Sequence, residues 1–126
     1  MQKNYNQFFK KKLENKIIAI TGSNGFISKH LIKELKYLKI KKLKIKEINS
    51  KNTNYFNYKN LEKSLKSADY VIHLSSATGG IKYTKENMSE QFYITMIKDL
   101  NVFKAAKKNK VKKLIIIGNL HAYPKN

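Results

Sequence analysis

Two glycines, Gly22 and Gly25, bracket Ser23 and Asn24. What surrounds them makes this a candidate for holding a phosphate. Upstream, the apolar run Ile17-Ile18-Ala19-Ile20 stops at Thr21. Downstream, Ile27, Leu31, Leu35 and Leu38 recur at helical spacing. The order is buried strand, glycine turn, helix. The first turn of a helix has backbone N–H groups without intrahelical partners, and the aligned peptide dipoles add partial positive charge there. A phosphate or pyrophosphate is the natural occupant. Gly22 would let the chain turn sharply, and Gly25, lacking a Cβ, would let a phosphate approach the backbone. The candidate contacts are Gly22, Ser23, Asn24, Gly25, Phe26 and Ile27. The same turn also serves a purely structural purpose in many strand-to-helix connections.

The elements that must position such a site follow along the chain. Leu43-Lys44-Ile45-Lys46-Glu47-Ile48 alternates apolar and charged residues, as in a strand with one face less buried. In a dinucleotide-binding sheet the end of this strand reads the ribose: an acid accepts from its hydroxyls, and a base tolerates a 2′-phosphate. Glu47 and Lys51 offer both signs, so NAD and NADP both stay open, and Glu47 is equally readable as a solvated strand end. Tyr55-Phe56 could be a very short strand, and Leu61 and Leu65 mark a short helix. Ala68–Ser76 holds a second strong strand containing His73, for which a core or sheet-edge role outweighs metal binding or catalysis in the absence of partner cysteines or paired histidines. One long helix is expected from Glu86 to Lys108, with Phe92, Met96, Leu100 and Phe103 on one stripe and Tyr93, Ile97 and Ala105 beside it. The last strand is Val111–Gly118.

With 126 residues there is room for one domain. Without cysteine, neither a disulfide nor a thiolate metal site exists, and no metal site is expected. No apolar run approaches a membrane span, and the N-terminus lacks the long apolar stretch of a secretory signal, so a cytoplasmic protein with no membrane partner is expected. The formal net charge of +19 invites a nucleic-acid reading. Yet all 27 basic residues are lysine, spread along the chain, and arginine, the preferred residue for bidentate phosphate and base contacts, is absent. The excess of lysine, asparagine, isoleucine and tyrosine matches A+T-rich codons. Specific nucleic-acid binding is therefore not expected. Met1–Asn15 reads as a basic arm, either a lead-in helix or a solvated tail, and 16–126 as the domain.

Thr21-Gly22-Ser23-Asn24-Gly25-Phe26-Ile27-Ser28 resembles the T-G-x-x-G-F-I-G signature of the extended short-chain dehydrogenases/reductases, the NAD(P)-dependent epimerases, dehydratases and reductases of nucleotide sugars. Ser28 stands where a third glycine would let helix and strand pack closely. Asp69-Tyr70-Val71-Ile72-His73-Leu74-Ser75-Ser76 resembles the family's D-x-V-I-H-L-A-A. The resemblance implies that Ser75, Ser76 and Ala77 border the cofactor where it crosses the strand ends, and that Asn57-Tyr58 lies against the adenine. The pair Gly79-Gly80 is similar to a loop of GDP-L-fucose synthases and GDP-mannose 3,5-epimerases. Thr95 falls where the family helix usually has asparagine, a role that Asn101, on a different turn, does not inherit.

Gly118, Tyr123, Pro124 and Lys125 match the fucose-synthase pattern G-S-S-C-x-Y-P-K, but Asn119 replaces its catalytic serine and His121 its cysteine. The family also needs a Tyr-x-x-x-Lys pair further downstream, which does not follow here. The expectation is an α/β fold: a truncated, Rossmann-like parallel sheet of four or five strands with helices on both faces and spatial order 3-2-1-4-5. Functionally the resemblance implies the NAD(P)-binding portion of a nucleotide-sugar epimerase/reductase, closest to GDP-L-fucose synthase. Such a portion would be inactive alone, would act on a nucleotide sugar only if completed by a C-terminal part, and would be prone to self-association. The alternatives are a non-catalytic nucleotide binder and a basic nucleic-acid-binding module.

Overall fold

In the computed structural model, residues 2–77 and 81–117 are described. The elements run α1 (Gln2–Leu13), β1 (Ile17–Thr21), α2 (Phe26–Tyr37), β2 (Lys44–Ile48), α3 (Tyr58–Ser64), β3 (Tyr70–His73), α4 (Ile81–Glu86), α5 (Met88–Lys108) and β4 (Lys113–Ile116). The glycine pair at 79–80 and the segment 118–126, with Asn119 and His121, lie outside the described residues.

The four strands form one parallel sheet in the order β2-β1-β3-β4. Residues 18–21 of β1 are all buried, because a parallel strand covered on both faces has no water-facing side. Ile17 pairs with Lys44 and Thr21 with Ile48 on one flank. On the other flank Ile18 pairs with Tyr70 and Thr21 with His73. β3 then pairs with β4 from Tyr70–Lys113 to His73–Ile116. Tyr55-Phe56 forms a turn instead of a strand. With that segment removed, the expected order 3-2-1-4-5 reduces to the order observed.

Side chains alternate across a strand, and the two cores follow that alternation. Ile18 and Ile20 join Leu13, Ile32, Leu35 and Ile40 on the α1/α2 face. Ala19 and Val71 join Leu61, Leu65, Val102, Ala105 and Ala106 on the α3/α5 face. The basic arm contributes a helix, not a tail: Leu13 is buried, while Phe8 and Phe9 stay exposed.

Two helices differ from expectation. α2 buries Ser28, Ile32 and Leu35, whereas Ile27 is exposed and lines a groove at the strand ends. The expected single helix from Glu86 is broken at Asn87 (φ −127°, ψ 30°), so α5 begins at Met88. α5 meets the sheet through Val102, Ala105 and Ala106. The stripe of Phe92, Met96, Leu100 and Phe103 is exposed. Small residues at the contact let the helix sit close to the sheet, and the bulky ones cannot follow it there.

Candidate functional site at the strand ends

The sheet reverses its direction of growth at β1: β2 lies on one side and β3 on the other. Ligands of open α/β sheets bind in the crevice that this reversal leaves at the carboxyl ends of the strands. A groove of about 240 Å³ lies there, lined by Gly22, Asn24, Gly25, Asn49, Ser50, Tyr55, Leu74, Ser75, Ser76 and Lys98. A second, of about 190 Å³, continues it past the same Leu74-Ser75-Ser76 segment towards Ile27, His73, Thr95, Asp99, Ile116 and Ile117.

Gly22 is required by the backbone. Its φ is +66°, and a Cβ there would lie 2.8 Å from the Leu74 carbonyl oxygen, inside contact distance of the end of β3. Gly25 has an ordinary φ of −70°, but a Cβ would meet the Gly22 oxygen at 3.1 Å. Gly25 is also the N-cap of α2 and gives it no side-chain cap.

The N–H groups of the turn are not equally available. Gly22 N–H donates to the Tyr55 hydroxyl (2.9 Å), Ser23 N–H to Ile48 O (3.0 Å) and Gly25 N–H to Gly22 O (2.9 Å). Lys29 N–H donates to Gly25 O, the first bond of the helix ladder. The turn N–H groups left for a phosphate are therefore that of Asn24 and those of the first turn of α2, at Phe26, Ile27 and Ser28. Gly22, Ser23 and Gly25 shape the turn instead of donating from it. Ser23 is buried, and its hydroxyl accepts from Asn49 Nδ2 at 3.0 Å, tying the turn to the end of β2. Asn24 is exposed. Phe26 is 79% exposed and rests on His30.

The expected cofactor residues divide into two groups. Gly22, Asn24, Gly25, Ser75 and Ser76 share the first groove, and Ile27 lines its continuation. Ala77 lines neither, but its N–H donates at 3.2 Å to Oγ1 of Thr95, a lining residue of the second. Ser23, Phe26, Glu47, Asn57 and Tyr58 line neither groove. Glu47 pairs with Lys36 at 2.8 Å on the surface, since a residue one position before Ile48 leaves the strand on the other side. Asn57 accepts from Asn60 N–H and caps α3. Tyr58 packs against the α3/α5 core, with Lys104 Nζ over its ring.

Asn49, Ser50, Tyr55 and Lys98 line the first groove as well, although none is among the expected cofactor residues. Tyr55 is buried to 3% exposure, and its hydroxyl donates to Ile48 O at 3.0 Å while receiving Gly22 N–H. Asn101 Nδ2 holds its carbonyl. Tyr55 and Lys59 do have Tyr-x-x-x-Lys spacing. Burial nevertheless pushes the Tyr55 phenol up from its ordinary value, the reverse of what an acid/base tyrosine at neutral pH needs. The position of Asn49, directly after the last apolar residue of β2, could have singled it out. Lys98 carries no such signal in a chain with this much lysine.

His73 is buried and bridges two elements. Its Nδ1 faces Thr21 Oγ1, and its Nε2 lies 2.8 Å from Asp99 Oδ1. Thr21 Oγ1 also accepts from Leu74 N–H. A neutral ring protonated at Nε2 satisfies all three contacts: it donates to Asp99 and accepts from the Thr21 hydroxyl. The histidine therefore locks the end of β3 to β1 and α5, in keeping with the core role expected of it. Among the described residues no His/Cys/Asp/Glu group could hold a metal, and no helix is long and apolar enough to cross a membrane.

Known proteins resemble this chain in sequence and fold. GDP-mannose 3,5-epimerase of Arabidopsis thaliana is 25% identical, covering 88% of this chain and 33% of its own length. A solved structure titled DdhaC superposes with a TM-score of 0.76 at 28% identity, covering 88% of this chain and 32% of that one. A GDP-L-fucose synthetase of Naegleria fowleri bound to NADP superposes with a TM-score of 0.67 at 22% identity, covering 82% and 30%. The chain thus spans about a third of the length of these relatives. Residues 18–126 match the NAD dependent epimerase/dehydratase family, and the chain belongs to that family.

Proposed function

We propose that this chain is the dinucleotide-binding portion of a nucleotide-sugar epimerase or reductase of the GDP-L-fucose synthase type, and that it does not turn over a nucleotide sugar by itself. The observation that carries the reading is the uncapped first turn of α2, set against Gly22 and Gly25 at the mouth of a groove that crosses β1 and β3. A pyrophosphate fits where Gly25 has no side chain and where Phe26 and Ile27 offer N–H groups. The small Ser75 and Ser76 leave room for the dinucleotide to pass between the two grooves. The names of the relatives support the cofactor class, one of them being an enzyme solved with NADP. When bound, the nicotinamide supplies a hydride donor or acceptor, and this chain's residues hold and orient it.

The inactivity rests on the described residues, among which no side chain is placed for proton transfer to a sugar. Tyr55 is committed to the Gly22 turn, and His73 to Thr21 and Asp99. Both side chains are engaged within the fold and neither is aimed at a substrate.

The test is a fluorescence titration of NADPH and NADH with the purified chain and with Gly25→Val. Binding should be lost in the variant, because a branched side chain would fill the phosphate position. Circular dichroism and a thermal melt check that the variant still folds. Gly22 is unsuitable for this purpose, because a Cβ there strikes the backbone of Leu74 and Ser75, just after β3. Equal binding by wild type and a folded Gly25→Val would remove the pyrophosphate site. Protein-dependent reduction of GDP-4-keto-6-deoxymannose would remove the inactivity.

A further inference from the structure

We propose that the groove selects the dinucleotide carrying a 2′-phosphate, NADP(H), over NAD(H), and that Asn49 and Lys98 set this preference; the inference rests on the dinucleotide site proposed above. A ribose with free hydroxyls is held by an acceptor at the end of the second strand, usually a carboxylate. None of the described residues lining the groove is acidic. The nearest acid on β2, Glu47, is paired with Lys36 at the surface.

Asn49 follows the last residue of β2, and its neutral side chain is held by two hydrogen bonds within the fold. Its Oδ1 accepts from Lys51 N–H at 3.0 Å, and its Nδ2 donates to Ser23 Oγ at 3.0 Å. The neighbouring Ser50 offers a hydroxyl donor, and Lys98 is the one cation among the lining residues. Lys98 projects from α5 over the rings of Tyr55 and Phe56, at 5.8 and 5.9 Å from their centroids. Donors and a cation without a carboxylate form an environment for an anion, and the strong positive charge of the chain favours the more highly charged ligand further.

The test is titration of the full chain with NADPH and NADH, and with 2′,5′-ADP and 5′-ADP, in the wild type, Asn49→Asp and Lys98→Met. An aspartate at 49 can still accept from Lys51 N–H, and the Ser23 hydroxyl can turn to donate to it, so the turn survives the change. NADPH and 2′,5′-ADP should bind the wild type at least about tenfold more tightly than NADH and 5′-ADP, the scale of one well-placed charge contact. Asn49→Asp should reverse the order, and Lys98→Met should weaken the phosphorylated ligands selectively. NADH binding as tightly as NADPH, with Gly25→Val still abolishing both, would overturn the selectivity and leave the site standing. A preference for NADPH unchanged in both variants would overturn the assignment to Asn49 and Lys98. Binding of neither dinucleotide by the folded chain would remove the site and this inference together.

Discussion

Ser28 fills the place where the family pattern has its third glycine, and the structure shows what the substitution does. The residue is 1% exposed, and its hydroxyl finds no hydrogen-bond partner. Serine is small enough for α2 to approach β1, but it carries a buried polar atom that glycine would not. Ser28→Ala removes that atom and improves helix propensity. It should raise stability by about 1 kcal/mol, read as a higher denaturant midpoint with an unchanged slope. A lower midpoint would mean that the hydroxyl has a partner in solution. Asp69, at the opposite end of the sheet, works the other way. One carboxylate oxygen accepts Ile17 N–H at 2.9 Å and the other Lys112 Nζ at 2.8 Å, so a single side chain clips together the starts of β1, β3 and β4. The Lys112 ammonium, and after it the Ile17 N–H, hold this carboxyl below its ordinary value of 3.8. A depressed value means that the contribution is complete above that pH and fades as the pH falls through the folded value. Asp69→Ala should therefore be less stable than wild type near neutrality, and the gap should close in acid. A gap independent of pH would show that the ionised form is not what matters.

Among the elements, the strong strands and their glycine turn were legible because apolar runs bounded by glycine have few other readings. The two-sided burial of residues 18–21 in β1 follows from that run. Less legible was everything set by where one element ends over another. Ile27 fits the helical stripe in sequence, yet it is exposed and lines a groove at the strand ends. Glu47 lies one residue short of the strand end that faces the groove, and period-two geometry makes one residue decisive. Phe92, Met96, Leu100 and Phe103 form the more conspicuous stripe of α5, but the plainer Val102, Ala105 and Ala106 make the contact. Helix ends were hidden for another reason. With only five glycines in the chain, lysine and serine take left-handed turns: Lys39, Lys42, Ser67 and Lys110 all have positive φ. α5 closes with Lys110 N–H on Lys107 O and Val111 N–H on Ala106 O, a Schellman arrangement in which glycine is the usual residue at 110. Lys110→Gly should stabilise the chain by about 1 kcal/mol, the left-handed penalty of a side chain less the added freedom of the unfolded glycine. A thermal melt measures it, and a lowered midpoint would show that the lysine side chain earns its place by contacts elsewhere.

For the whole molecule, the sheet and its two cores form a stable centre with an apolar flank. Phe92 (67%), Tyr93 (61%) and Leu100 (57%) on α5 are exposed, as are Ile115 (43%) and Ile116 (45%) on β4 and Ile117 (60%) just beyond it. β4 is paired with β3 along one side only among the described residues, and an unpaired strand edge rich in isoleucine is a template for another chain. Apolar surface on this scale marks an interface or an aggregation liability. The charge of +19 opposes association at low ionic strength. Salt screens that repulsion within a Debye length of about 10 Å at 0.1 M, while the apolar attraction remains. The purified chain should therefore self-associate, and more so as salt is raised. Light scattering coupled to size-exclusion chromatography should give a mass above 14.7 kDa that grows with sodium chloride. Replacing Phe92 and Leu100 by lysine should return the chain to a monomer without lowering its melting temperature, because neither side chain is buried in the cores. A wild-type monomer at every salt concentration would show that this flank is satisfied within the chain itself. A mass that falls with salt would show that charge pairing holds the copies together.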